Sequence, residues 1–378
     1  MFDTILASKI AQYQKIWEDI CNIESPTAYK EGVDAVGRYI TRWAAEKGFR
    51  VDSLKQSVSG DPLCITINPD VDAPAVSMGA HMDTVHPVGT FGTPAVRVEG
   101  NKIYGPGVLD CKGCVVMGML VLDVLSQSGY RRRPVKLLLD SDEETGSMGS
   151  QKATIGWMCQ QANGSVAYLN LEGSAPGKVV LQRKGIARFR FTVQGKKAHS
   201  GACYTGASAI AQSAHMILEL ETFKEPDGLT CNCGVISGGT TPNTVAGECT
   251  FIADFRYATE EQRQAALAAC QKVAGTAYVP GCTASWEQMS YRVAMPIEER
   301  NLKLLEQVNR ILEAAGMPAL SWYTQRGGSD ANDATAAGIP AMDNLGIRGG
   351  GAHSNEEYAE LDSLAPCAKQ VLTIIAGL

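Results

Sequence analysis

No stretch of this chain stays apolar over the roughly 20 residues that a membrane-spanning helix needs, so an integral helical membrane protein is excluded. Positive charge is not in excess either. Thirty-four Lys and Arg stand against 40 Asp and Glu, a net charge of −6, which gives no support to nucleic-acid binding or a basic membrane-surface role. A signal-peptide pattern is missing: Phe2 to Ile23 intersperses Asp3, Lys9, Lys15, Glu18 and Asp19 among apolar residues at helical spacing, the mark of an amphipathic helix of a mature fold. No internal repeat or low-complexity segment is present. The 12 cysteines are dilute, and Cys21, Cys64, Cys159 and Cys270 lie within apolar segments. They read as reduced core residues of a cytoplasmic protein. Cys111-x-x-Cys114 has no second pair to complete a structural metal site, and Cys231-x-Cys233 is likewise incomplete.

What is present is a globular composition, 45% hydrophobic and 20% charged, in 378 residues. That length exceeds one typical core, so two domains or a large insertion are expected. A run of small and apolar residues, Pro74 to Met78, reads as a buried strand ending in His81-Met82-Asp83. Period-two alternation puts His81 and Asp83 on one side, as suits a metal ligand and the carboxylate that orients it. Ala95 to Tyr104 reads as a hairpin turning at Glu99-Gly100-Asn101. The glycine-rich loop Gly105 to Gly113 then opens an apolar helix through Ser126. It matches neither the P-loop nor the dinucleotide pattern, and its Asp110 would suit a cation. Pro134 to Leu139 is a strand ending in Asp140-Ser141-Asp142-Glu143-Glu144, followed by a helix from about Ser147, and Val166 to Leu171 is a strand ending in Glu172. Alternating strands and helices imply a largely parallel sheet, with ligands beyond the carboxyl ends of its strands. Asp110, Glu143, Glu144 and Glu172 all fall at such places.

From Lys178 the texture changes. Arg188 to Gln194 alternates as a strand with one solvated face, and further strands and two helices reach Tyr291. The expected fold is therefore α/β: residues 1–177 and 294–378 form a domain with a mixed, mainly parallel sheet. It is interrupted at 178–293 by an α+β unit with a four-stranded antiparallel sheet and two helices.

His81, Asp110, Glu144, Glu172 and His353 make a set that two divalent cations would hold. Crowded carboxylates would otherwise repel one another and take up protons. His81 and Glu172 would complete one metal and Glu144 and His353 the other, with Asp110 shared. Imidazole and carboxylate ligands suit Zn2+, with Co2+ or Mn2+ possible in the same site. Glu143, beside Glu144, would take a proton from a metal-acidified water as general base.

The motifs His81-Met82-Asp83-Thr84, Gly105-Pro106-Gly107…Asp110-x-Lys112-Gly113, Asp142-Glu143-Glu144-Thr145-Gly146-Ser147 and Gly351-Ala352-His353-Ser354-Asn355-Glu356 resemble the dizinc exopeptidase family. That family includes aminoacylases, succinyl-diaminopimelate desuccinylases, peptidase T and bacterial glutamate carboxypeptidase, and the chain resembles the last most closely. The resemblance implies a zinc-dependent amidohydrolase acting on N-acyl amino acids or short peptides with a free C-terminal carboxylate. It implies a homodimer formed through the inserted lid domain. It also implies that His199 steadies an oxyanion in the partner's site and that Asn243 and Arg256 grip the carboxylate, with Gly328 and Ser329 lining the same pocket. Deacylation of N-acyl amino acids and tripeptide aminopeptidase activity are the alternatives within the family, and a silent metal-binding scaffold is the alternative outside catalysis. Cys111 stands where the family more often has Met or Asp, and the bond before it is expected to be cis. His86 and His215 match no ligand position and are expected to be structural.

Overall fold

The computed structural model describes residues 2–378, and the chain divides into two compact units. One comprises the chain through Leu181 together with Ile297–Thr324 and Ser329–Leu378; the other comprises Gln182–Pro296 and Gln325–Gly328. The short return segment Gln325–Gly328 is tied to the second unit by backbone and side-chain bonds. Lys184 N–H donates to the Gln325 carbonyl at 3.2 Å, and Arg183 donates to that of Gly327 at 3.0 Å.

The first unit is built on a six-stranded sheet. Its order is Arg50–Ser53, Leu63–Ile67, Val135–Asp140, Val76–His81, Ala167–Asn170 and Ala341–Met342. The Val76–His81 strand is parallel to both its neighbours, and the first two strands run antiparallel. Central strands buried on both faces read as continuous apolar runs, as Val76–His81 does. Register places His81 opposite Asp140, so the two strands deliver their functional ends to one edge. The helix Lys112–Gln127 is apolar on every side and is buried almost throughout, between the sheet and the helices Phe2–Cys21 and Leu364–Gly377. The hairpin of Arg97–Glu99 and Lys102–Tyr104 turns at Gly100 as expected. It pairs with Tyr358–Glu360 and through it with Gly349–Gly350, which carries the late histidine segment to the site.

One expectation fails at a boundary. The helix expected from about Ser147 begins at Ala153. Ser147, Gln151 and Lys152 take left-handed backbone, and buried carboxylates hold the intervening turn open. Asp140 accepts from Ser141 N–H at 2.7 Å, and Asp142 accepts from Ser150 N–H at 2.8 Å. Side-chain acceptors compete here with the helix ladder and win.

The second unit is an antiparallel sheet ordered Thr230–Gly238, Glu248–Tyr257, Gly185–Gln194 and Thr283–Arg292. Its two helices, Ala209–Leu220 and Glu260–Gly275, share a core with its apolar face. Gly185–Gln194 alternates buried and less buried positions along most of its length, the two-faced pattern read from the sequence. No helix among the described residues is long and apolar enough to cross a membrane. All 12 cysteines are free.

Candidate metal centre

The loop Gly105–Cys111 brings Asp110 to the carboxyl end of the sheet. Gly107 takes φ +77°, and a side chain there would lie 2.8 Å from Thr84 and 2.7 Å from Lys112, so only glycine fits. The Asp110–Cys111 peptide bond is cis, as expected. The two oxygens of Asp110 face different histidines: Oδ1 lies 3.1 Å from His81 Nε2, and Oδ2 lies 3.2 Å from His353 Nε2. Glu172 Oε1 is 3.6 Å from His81 Nε2, and Glu144 Oε2 is 3.2 Å from His353 Nε2. The five residues named from the sequence thus assemble as two groups of three around one shared aspartate.

Asp83 organises the centre from beneath. It lies 3.3 Å from His81 Nδ1 and accepts from the backbone amides of Glu143 and Glu144, each at 3.2 Å, and from the Thr27 hydroxyl at 2.7 Å. One buried carboxylate therefore orients an imidazole and fixes the turn bearing both glutamates.

The electrostatics suit a cation. Burial and the Asp110 charge raise Glu172 well above the usual carboxylate range, and burial raises Glu144 to about 8 despite its bond to His353. His353 is raised to about 10 by its hydrogen bonds to Asp110 and Glu144. Burial disfavours a charged His81, but its bonds to Asp110 and Asp83 outweigh that and raise it. Glu144 Oε1 is buried and meets no donor. Two imidazoles, three carboxylates and an orphaned buried oxygen fit divalent cations better than they fit one another. At pH 7 Glu144 and His353 hold protons that ligation must displace. Metal titration at pH 7 is therefore expected to release about two protons per chain, and affinity is expected to rise with pH through about 8 and on to about 10. Calorimetry in buffers of different ionisation enthalpy measures this, and a buffer-independent heat would contradict it.

Other expected residues are placed less simply. His199 is exposed in the second unit, where Gly201 N–H donates to its Nδ1 at 3.1 Å, which leaves the proton on Nε2. Its segment pairs with that of Asn243: Ser200 N–H donates to the Asn243 carbonyl at 2.9 Å. Arg256 does not present an open fork. Its Nε and Nη2 donate to Asp254 at 2.6 and 3.2 Å, and Arg188 shares that carboxylate. Ser329 is buried, caps the helix Asp330–Ala336 and donates to Asp343 at 2.5 Å. Gly328 lies against Arg292, whose Cδ would be 2.5 Å from a side-chain carbon at that position.

Two residues went unnoticed in the sequence. Arg292, buried at the end of Thr283–Arg292, is an arginine beside Gly328. Glu357 is wholly buried and accepts from His86 Nε2 at 2.7 Å, Leu109 N–H at 2.9 Å, Asp110 N–H at 3.0 Å and Gly107 N–H at 3.3 Å. It anchors the loop that carries the shared aspartate. The sequence offered only an adjacent pair, Glu356-Glu357, with nothing to say which faces inward. His86, its partner, and His215, stacked on Tyr278, have the structural roles expected of them.

The model of peptidase family M20/M25/M40 matches residues 78–376. The chain belongs to that family. This M20 protein is a hydrolase of the peptidase and amidohydrolase type. It is 29% identical over 358 residues to carboxypeptidase G2 of Pseudomonas sp. strain RS-16, covering 93% of this chain and 85% of that one. Its fold matches a tripeptidase from Staphylococcus aureus with TM-score 0.82 at 22% identity, over 97% of both chains. It also matches a dinuclear metal-binding M20 peptidase from Bacillus subtilis with TM-score 0.72 at 15% identity, over 98% of both.

Proposed function

We propose that this M20 enzyme uses two divalent cations, zinc in the first instance, to hydrolyse the amide bond of N-acyl amino acids or short peptides bearing a free C-terminal carboxylate. The observation that carries this reading is the shared Asp110, whose two oxygens address His81 and His353 beside a turn that presents Glu143 next to Glu144. The similarity to carboxypeptidase G2 supports the carboxypeptidase-like choice. His81, Asp110 and Glu172 would hold one cation and Asp110, Glu144 and His353 the other. Bound there, they would polarise the scissile carbonyl and acidify a water.

The remaining work falls to the chain. Glu143, held by the Asp83 tether on its amide, accepts the water's proton and passes it to the leaving nitrogen. His199, with its proton on Nε2, donates to the developing oxyanion. Asn243 meets the substrate carboxylate together with an arginine of the same unit. Arg256 and Arg292 are the two candidates, the first with its Nε–Nη2 edge on Asp254 and the second buried beside Gly328. Changing to Lys the arginine that grips the carboxylate is expected to raise KM about tenfold or more with kcat nearly unchanged, and changing the other to move KM less than about threefold. Small effects of both Arg256→Lys and Arg292→Lys would remove both arginines from the carboxylate site.

The deciding test is release of free amino acid from N-acyl and dipeptide substrates by metal-stripped enzyme, before and after adding zinc. Zinc-restored cleavage favouring C-terminal Glu or Asp supports the carboxypeptidase-like reading. A preference for other residues points to an aminoacylase. Silence with two zinc ions bound would mean an acyl group outside the panel or the metal-binding scaffold.

We also infer a homodimer through the second unit. The strand Thr230–Gly238 is a sheet edge with Val235 and Ile236 exposed, an arrangement that invites pairing. Val235→Lys with Ile236→Lys is expected to give monomers in sedimentation; an unchanged dimer would place the interface elsewhere.

A further inference from the structure

Beside Glu144 the first unit bears an open cavity of about 550 Å³. Its walls are two loops, one bearing Tyr29 and the other running from Thr84 through Val85 and Pro87 to Val88. The loops are bound to each other: Thr27 N–H donates to the Thr84 carbonyl at 3.1 Å, and Thr84 N–H donates to that of Ser25 at 2.9 Å. The Thr27 hydroxyl also reaches Asp83, the carboxylate that fixes the Glu143–Glu144 turn. The cavity is thus preformed and tied to the candidate centre.

Its lining is mainly apolar. Tyr29 is 43% exposed, Val85 38% and Val88 58%, which is an unusual concentration of large apolar side chains left in water beside polar catalytic residues. The volume lies in the range of small-molecule sites. No lysine, arginine or histidine lines it, and its one charged residue is Glu144. A substrate carboxylate would find no partner there. A free amine would find only a carboxylate already assigned to metal binding. Among the wall's buried side-chain atoms, Glu144 Oε1 and the Thr84 hydroxyl have no hydrogen-bond partner.

We infer that this cavity receives the acyl half of the substrate and selects a neutral, apolar acyl group of ring or branched-chain size. The inference rests on the amide-hydrolase reading above and narrows it, setting acetyl, succinyl and free aminoacyl groups aside.

The test uses full-length, metal-loaded enzyme and N-acetyl, N-succinyl, N-hexanoyl and N-benzoyl derivatives of glutamate, aspartate and leucine. For the leaving amino acid that works best, hexanoyl or benzoyl is expected to exceed acetyl and succinyl in kcat/KM by at least about tenfold. Val88→Arg, at an exposed position, is expected to erase that preference and favour succinyl. In parallel, calorimetry compares hexanoate and benzoate with succinate on the wild type and on Val88→Arg. Cleavage with no apolar preference overturns the acyl pocket and leaves the hydrolase reading standing. No cleavage but Val88-dependent binding of hexanoate or benzoate upholds the pocket and overturns the hydrolase reading. If neither cleavage nor binding is seen, both fall.

Discussion

Glu143→Gln is expected to lower kcat by about 10²- to 10⁴-fold while leaving metal stoichiometry and folding intact. The amide is isosteric with the carboxyl and keeps the backbone bond from residue 143 to Asp83, so the turn should not move. What it loses is the capacity to take and return a proton at the place where the water must be activated. Glu144 cannot substitute, because it faces His353 and Asp110 and its charge would be engaged by a cation. Steady-state kinetics with metal content measured on the same sample decide the matter. A loss below about tenfold would remove Glu143 as the base and send the search for the base elsewhere.

The second large effect is expected at a residue that touches no substrate. Glu357 accepts four hydrogen bonds from a wholly buried position, three of them from the backbone of the loop that ends in Asp110. In Glu357→Leu both acceptor oxygens are lost, and the backbone N–H groups of Gly107, Leu109 and Asp110 lose this partner together. Leaving buried N–H groups unpaired costs about 1–3 kcal/mol each, so a loss of roughly 3 kcal/mol in unfolding free energy is expected. The metal centre should feel the change as well. With its backbone amide released, Asp110 is no longer held between His81 and His353, and zinc affinity should fall by about 10- to 100-fold, as when a supporting partner of a ligand is removed. Denaturant unfolding and competition with a zinc chelator measure the two effects separately. A variant within about 1 kcal/mol of wild type and with unchanged affinity would show that the loop holds itself.

These two cases differ in how far the residues themselves announced their roles. Glu143 could be named from the chain because its position is local: a buried apolar strand, Val135–Asp140, must end somewhere, and polar residues at that end face the ligand side of a parallel sheet. The same local logic located His81, Asp110 and Glu172 at the ends or starts of apolar segments. It also gave the hairpin at Gly100 and the alternating strand Gly185–Gln194. His353 lies on an irregular segment and was recognised through its motif, since no periodicity marks it. Where side-chain acceptors replace backbone ones, local reading failed, as in the turn between Asp140 and Ala153.

Hydrophobic periodicity, strand-end chemistry and motif order were properties of the chain alone, because each depends on neighbours a few residues away. They determined the α/β unit with its antiparallel insertion, the five metal-ligand candidates and the general-base candidate. Tertiary structure alone decided which partner each polar group meets. Asp83 serves His81 and both glutamate amides, Glu357 answers to His86 from 271 positions away, and Ser329 closes a helix. Arg256 is held by Asp254, while Arg292 lies beside Gly328. A buried donor or acceptor must find its complement, but which one it finds depends on packing across the whole unit, and no short-range pattern carries that information.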